Sequence, residues 1–246
     1  MSINSPDELR GMREAGRIVR LVLEAMKREV RSGVTTAELD QVGAETMRRE
    51  GAQSAPALVY KFPGANCISV NEEAVHGVPS SRVLHDGDLV KLDVTIEKNG
   101  FMADAAETAA VGAVTNERKQ LCECAERAFR KAMLVARAGF RVFEIGRIIE
   151  REVRRSGFSV IRELTGHGIG RTIHEAPNVP NYADPHANAI LTEGLVITVE
   201  PIIAAGSGRT IVGGDGWTVI TADRRPSAHY EHTLMITKGA PVLLTA

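Results

Sequence analysis

"KLDVTIEKNGFMAD", residues Lys91–Asp104, reads as a β-hairpin with an aspartate on each arm. Val90, Leu92, Val94 and Ile96 alternate with other residues, the period of a strand. Asn99-Gly100 is a strong two-residue turn signal, because both residues accept the positive φ such turns require. With Lys98 opposite Phe101, Thr95 falls opposite Asp104 and Asp93 opposite Ala106. Residues two apart share a face, so Asp93 and Asp104 are expected as diagonal neighbours on one side of the sheet. Like charges so placed repel unless water or a cation lies between them. The hairpin alone leaves both readings open.

The 246 residues are enough for one large domain that buries most of its unfolded surface. Hydrophobic residues at 43% and charged residues at 25% are ordinary for a globular chain. Thirty basic and 31 acidic residues leave a net charge of −1, so nothing points to a nucleic-acid reader or an anionic membrane. The opening "MSINSPDELRGMREAG" is too charged for a signal peptide, and no apolar run reaches spanning length. Cys67, Cys122 and Cys124 form no disulfide framework, and the helical spacing of the last two argues against a zinc knuckle. A cytoplasmic, monomeric protein is expected.

Ser5-Pro6-Asp7-Glu8 signals a capped helix whose stripe runs through Leu9, Met12, Val19, Val22, Met26 and Val30 to Gly33. Thr35 to Glu38 repeats the capping signal for a helix stopping near Gly51. Further helices are expected at about 116–138 and 142–156. Strands are expected at 67–71, on both hairpin arms, and at 159–164, 195–200, 217–221 and 229–236. Strands, helices and strands again within one length, with no linker, predict a single α+β domain over 1–246.

Four further stretches could carry chemistry: "NEEAVHGVP" with His76, "GHGIGRTIHEAP" with His167 and His174, "VITVEP" with Glu200, and "SAHYEHT" with Glu231. The glycines of "GHGIG" imitate a phosphate loop, but no Lys-Ser/Thr follows. Glu200 and Glu231 sit at the ends of apolar strands, where an unpartnered carboxylate is costly. Asp93, Asp104, Glu200 and Glu231 together bring four negative charges, which two divalent cations would neutralise. Oxygen ligands with an imidazole suit Mn²⁺, Fe²⁺ or Co²⁺, with Zn²⁺ acceptable, and two such ions can activate a water against a polarised carbonyl.

Asp93 in "KLDVT", Asp104 in "FMAD", His167 in "GHGIGR", Glu200 in "TVEP" and Glu231 in "AHYEHT" resemble, in order and spacing, the metal-binding signature of the methionine aminopeptidases, in their short bacterial type 1 form. The resemblance runs from the first helix to the C-terminus. It implies the pita-bread fold, two pseudo-symmetric α+β halves with central antiparallel sheets and outer helices. It implies two divalent ions per chain (Co, Mn, Fe, Zn or Ni) and removal of the N-terminal methionine from nascent chains and peptides with a small second residue. Transient contact with ribosomes would follow from such substrates. By resemblance, Asp93 binds one metal, Asp104 and Glu231 bridge, and His167 and Glu200 complete the second. His76 would contact the scissile amide, His174 the developing oxyanion, and Glu200 would accept a proton. Cys67, Phe62 and Trp217 would line the methionine pocket.

The chain departs from the family's usual pattern at Val59 and Lys61 in "LVYKFP", where an aromatic and a glycine are common, and at Val75, Met102 and Ala105. None of these removes a ligand. Val59 in place of an aromatic predicts a looser first pocket. Two rival readings are a peptidase of the same fold cleaving before proline, and a binding protein that has lost its metals. The first usually carries a large extra N-terminal domain, and the second should show broken ligands.

Overall fold

Ser5 opens helix α1 (Pro6–Glu29) by accepting a hydrogen bond from the Glu8 amide at 3.2 Å. The Glu8 carboxylate accepts from the amide of Asn4 at 2.8 Å, one residue earlier than a capping box would place it. The box is complete at α2 (Thr36–Arg49), where Glu38 accepts from the Thr35 amide at 2.7 Å. Strand β1 (Gln53–Ser54) leads into α3 (Ala55–Tyr60), a helix the sequence reading does not anticipate. Its signals are the Ser54 cap and a proline in the first turn.

After β2 (Cys67–Val70) and β3 (Glu73–Val75) come the two arms of the hairpin, β4 (Leu89–Lys98) and β5 (Phe101–Ala110). Their register is the expected one: Lys98 opposite Phe101, Thr95 opposite Asp104, Asp93 opposite Ala106. Asn99 and Gly100 both take positive φ, 51° and 79°, as the turn demands.

Helices α4 (Asn116–Ala132) and α5 (Val142–Arg155) follow. The first stops six residues short of the expected 138, because Ala138 and Gly139 turn their amides to the carbonyls of Thr237 and Leu191. The last third holds β6 (Ser159–Val160), β7 (Thr165–Gly168), β8 (Glu175–Pro180), β9 (Val196–Val199), β10 (Ile202–Ala204), β11 (Thr210–Val212) and β12 (Val219–Thr221). It ends with β13 (Ser227–His229), β14 (Glu231–Met235) and β15 (Val242–Leu243). The strand expected over 229–236 is thus broken at Tyr230. Its first part pairs with β10 in a small sheet, while β14 joins the main one.

The computed structural model describes residues 1–246. Its main sheet has nine strands in the order β1-β4-β5-β14-β9-β7-β8, with β2 on β4 and β15 on β14. Every pairing is antiparallel. Helices α1 and α2 cover the hairpin with a core that includes Met12, Ile18, Val22 and Met26, all without exposure. Full burial of each such side chain contributes about 1.5–3 kcal/mol. Helices α4 and α5 form a second core with Ile197, Val199 and Leu234. The halves meet where β5 pairs with β14, with Glu231 opposite Ala106. There Thr233 Oγ1 donates to the Asp104 carbonyl at 2.7 Å and accepts from its amide at 2.9 Å.

Gly146 lets α5 lie directly on the chain after β8: a Cβ there would meet Tyr182 O at 2.1 Å and Pro180 O at 2.6 Å. Overpacking of this kind costs about 1–3 kcal/mol. Gly146→Ala is therefore expected to lower Tm by about 2–12 °C, at roughly 2–4 °C per kcal/mol. Gly214→Ala, where a Cβ meets nothing within 4 Å, should melt like wild type. Equal melting curves for the two variants would contradict this packing.

Candidate metal centre

A cavity of about 430 Å³ opens between the halves. Its polar end gathers Asp93 from β4, Asp104 from β5, His167 from β7, Glu200 just beyond β9, and Glu231 at the start of β14. Its other walls carry His76, His174, Cys67, Phe62 and Trp217. All ten side chains named from the sequence thus line one space. Ligand-capable atoms of Asp104, His167 and Glu231 lie within 4.8 Å of one another, as do those of Glu200, His229 and Glu231. Asp93 belongs to neither tight group, and its side chain opens partly into the cavity.

Threonines hold the acids in place. Thr95, opposite Asp104 in the ladder, donates to its Oδ2 at 2.8 Å. Thr198 donates to Glu200 Oε1 at 2.7 Å and accepts from the His167 amide at 3.0 Å, so one hydroxyl fixes two neighbours. The remaining oxygens, Asp104 Oδ1 and Glu231 Oε1, are buried without any partner.

None of the four carboxylates pairs with Lys or Arg. The only basic groups within 4 Å are imidazoles, His167 at 3.6 Å from Glu200 and His229 at 3.2 Å from Glu231. Burial therefore raises every acid. Asp93 and Glu231 stand well above the carboxylate range, with the neighbouring acids adding to the effect. Asp104 is pushed up to about 6, less than burial alone would give because the Thr95 hydroxyl stabilises its charge. Glu200 is pushed up to about 8 by burial, against the Thr198 hydrogen bond and with Asp104 adding repulsion.

His167 Nδ1 donates to the Gly168 carbonyl at 2.9 Å, which leaves its Nε2 lone pair facing the acids. Burial and nearby His174 push this imidazole down to about 4, so it is neutral. Buried, unpartnered oxygens and a neutral imidazole, with no side-chain cation, fit divalent ions of the oxygen- and nitrogen-preferring kind.

Beyond the acids, His174 Nδ1 lies 2.6 Å from the Tyr60 hydroxyl, and its ring centroid is 4.3 Å from that of His167. The loop carrying His174 is pinned by Glu175, which accepts from the amides of Arg171 and Thr172 at 2.7 and 3.0 Å. His76 takes a left-handed φ of 56°, a conformation a non-glycine residue holds only when its surroundings impose it. The corner is imposed by Gly77, whose missing Cβ would fall 2.3 Å from Ile68 O. Phe62 and Trp217 meet edge-to-face at 5.3 Å beside Cys67.

Val59 does not shape the first pocket, contrary to the sequence expectation. Helix α3 turns Val59 outward, 42% exposed and off the cavity wall, while Tyr60 reaches in to His174. Lys61, where a glycine is common, takes the left-handed C-cap of that helix, φ 61°. Met102 and Ala105 lie in the core under α1, away from the cavity. Sequence reasoning missed Tyr60 and His229. His229 was detectable, because it precedes Glu231 by two residues and strand alternation puts both on one face.

A model of metallopeptidase family M24 matches residues 10–238. A Bacillus subtilis protein named methionine aminopeptidase 2 is 45% identical over 247 residues, with 100% of this chain and 99% of its own length covered. A methionine aminopeptidase of Clostridium perfringens is 41% identical, with 99% of this chain and 98% of its own length covered. The crystal structure of methionine aminopeptidase from Thermotoga maritima superposes with a TM-score of 0.96 at 34% identity, covering 100% of this chain and 99% of that one. A prolidase from Pyrococcus furiosus, 23% identical, has a TM-score of 0.80 over 99% of this chain and 65% of its own, a likeness of fold.

The raised acids give the metal-free protein a signed pH dependence. A carboxyl whose folded pKa exceeds its unfolded value binds more protons when folded, so its contribution to stability falls as pH rises between the two. For Glu200 that window runs from its ordinary value of 4.5 to about 8. His167, held at about 4, acts oppositely up to its ordinary 6.5, and Lys91, pushed down to about 7 by burial, acts oppositely above that. Comparison with Glu200→Gln cancels these terms. In EDTA the variant should gain on wild type by up to about 2 kcal/mol between pH 6.5 and 8, at about 1.4 kcal/mol per proton and pH unit. A pH-independent difference in Tm would contradict the raised Glu200.

Proposed function

Since the chain belongs to metallopeptidase family M24 and within it to the methionine aminopeptidases, with their pita-bread fold, we propose that the cavity binds a peptide by its N-terminal methionine and hydrolyses the first peptide bond. The protein is a metal-dependent hydrolase that removes N-terminal methionine. The observation that carries the reading of the site is the junction, in one cavity, of a carboxylate–imidazole cluster with an apolar recess of Phe62, Trp217 and Cys67. Aromatic edges and a thiol suit a thioether side chain.

Asp93, Asp104, His167, Glu200 and Glu231 would hold two divalent ions, Mn²⁺, Fe²⁺ or Co²⁺ by donor type. When bound, the ions supply Lewis acidity toward the carbonyl and lower the pKa of water. The chain's own groups do the rest. With the Tyr60 hydroxyl, 2.6 Å away, as donor to His174 Nδ1, the ring proton would sit on Nε2, ready to donate to the developing oxyanion. His76, whose ring stands open to the cavity, contacts the scissile amide. Glu200 Oε2, the oxygen free of Thr198, takes the proton of the attacking water and returns it to the leaving amine. By the family's pattern, the second residue would sit against the wall of ligands and would therefore be small.

One catalytic domain over 1–246 is supported by the single main sheet that runs through both cores. A reducing cytoplasm is supported by three free cysteines; no helix is long and apolar enough to cross a membrane.

After EDTA treatment, Mn²⁺ or Co²⁺ should restore cleavage of Met-Ala-Ser, with Met-Leu-Ser slower and Xaa-Pro peptides left intact. His174→Ala should lower kcat by about 10²–10³, the usual loss for an oxyanion donor, with KM changed less. Preferential cleavage of Xaa-Pro peptides would contradict the assignment, and equal rates for the Met-Ala and Met-Leu peptides would contradict the small-residue preference.

A further inference from the structure

His229 ends β13 with 2% exposure, and neither of its ring nitrogens has a hydrogen-bond partner. Buried polar atoms are nearly always partnered, so two orphan nitrogens on one ring need a physical reason. The ring belongs to the cavity wall, because Tyr230 turns the other way, edge-on to Phe129 at 5.3 Å, and leaves His229 and Glu231 on the same side. Nε2 comes within 3.2 Å of Glu231 Oε2 yet is not aimed at it and makes no hydrogen bond. A ring nitrogen of His229, an oxygen of Glu200 and an oxygen of Glu231 all lie within 4.8 Å of one another. That is close to the spread of atoms around one ion, where ligands at about 2.0–2.2 Å from a shared centre stand at most about 4.4 Å apart.

We infer that His229 is a nitrogen ligand of the ion held by Glu200 and Glu231, so that the centre uses two imidazoles. The inference rests on the metal-centre reading proposed above. A ligand imidazole must be neutral. No protein group engages either ring nitrogen of His229, so a lone pair is free to face the space between Glu200 and Glu231. A second imidazole adds no charge, so four carboxylates still balance two divalent ions. It does change the donor set. Imidazole suits Fe, Ni, Cu and Zn better than it suits Mn²⁺ or Mg²⁺, so His229 biases this centre toward the nitrogen-preferring metals.

The test is ¹H NMR of the Co²⁺-loaded protein together with calorimetric Co²⁺ and Mn²⁺ titrations. An imidazole bound to Co²⁺ through one nitrogen shows a strongly shifted, exchangeable N–H from the other. Two such signals are expected, one lost in His167→Ala and the other in His229→Gln. The second variant should also weaken one Co²⁺ site by more than about 10-fold, the least that losing even an outer partner of a ligand costs. Its Mn²⁺ binding should fall less than its Co²⁺ binding. A single signal, lost in His167→Ala and kept in His229→Gln with unchanged affinities, would overturn the inference and leave the metal centre standing. No shifted signal at all, with undiminished Co²⁺ binding in Asp104→Asn, would overturn both.

Discussion

Four carboxylates share one largely buried cavity, and no lysine or arginine answers them. Two like charges about 4 Å apart repel by about 4 kcal/mol at an effective dielectric near 20. Total stabilities are about 5–15 kcal/mol, so such a cluster cannot stay fully ionised without compensation. Two remedies exist for these side chains. Protons can occupy them, which is what the raised pKa values of Asp93, Asp104, Glu200 and Glu231 describe. Divalent cations would replace the protons in the proposed metal centre. The unpartnered oxygens of Asp104 and Glu231 are the atoms left over for it.

The fold is organised around keeping these acids close. The hairpin sets Asp93 and Asp104 on one face, but Glu231 and Glu200 come from the other half of the chain. The seam between β5 and β14 joins them, locked by the two-way hydrogen bonding of Thr233 with Asp104. Lys91 secures the same region from behind: its buried ammonium donates to Asn71 O at 2.7 Å and Ser227 Oγ at 3.2 Å, tying the turn before β3 to the strand that leads into Glu231. Two packed cores, one per half, hold the seam rigid. The recess of Phe62, Cys67 and Trp217 lies where segments of both halves meet, so the proposed methionine pocket and the acids would share one framework.

Much of this was legible in the sequence, for identifiable reasons. The hairpin register followed from alternation and from Asn99-Gly100, since both depend on neighbours in the chain. The ten expected site residues lie in short, specific motifs, and all ten line one cavity. Features set by distant contacts were not legible. Helix α4 ends early because Thr237 and Leu191 capture the following amides. The last strand breaks at Tyr230 because β10 and β9 claim its two parts. The turn of α3 puts Tyr60 rather than Val59 at the cavity, which no local pattern announces. His229 was hidden for another reason. It lies outside the family's five-ligand pattern, although strand alternation places it on the same face as Glu231.

The central claim is that Asp93 and Asp104 form the cradle for cations that the folded chain otherwise lacks. Four melting curves test it: wild type and Asp93→Asn/Asp104→Asn, each in EDTA and in Mn²⁺. Metal binding only the folded state adds about 2.7 kcal/mol at 100 times Kd, or about 5–10 °C for a chain of this size. Wild type should gain that much. The double variant should melt at or above metal-free wild type, because the repulsion is gone, and should gain little from Mn²⁺. Stabilisation of the double variant by Mn²⁺ equal to that of wild type would contradict the account.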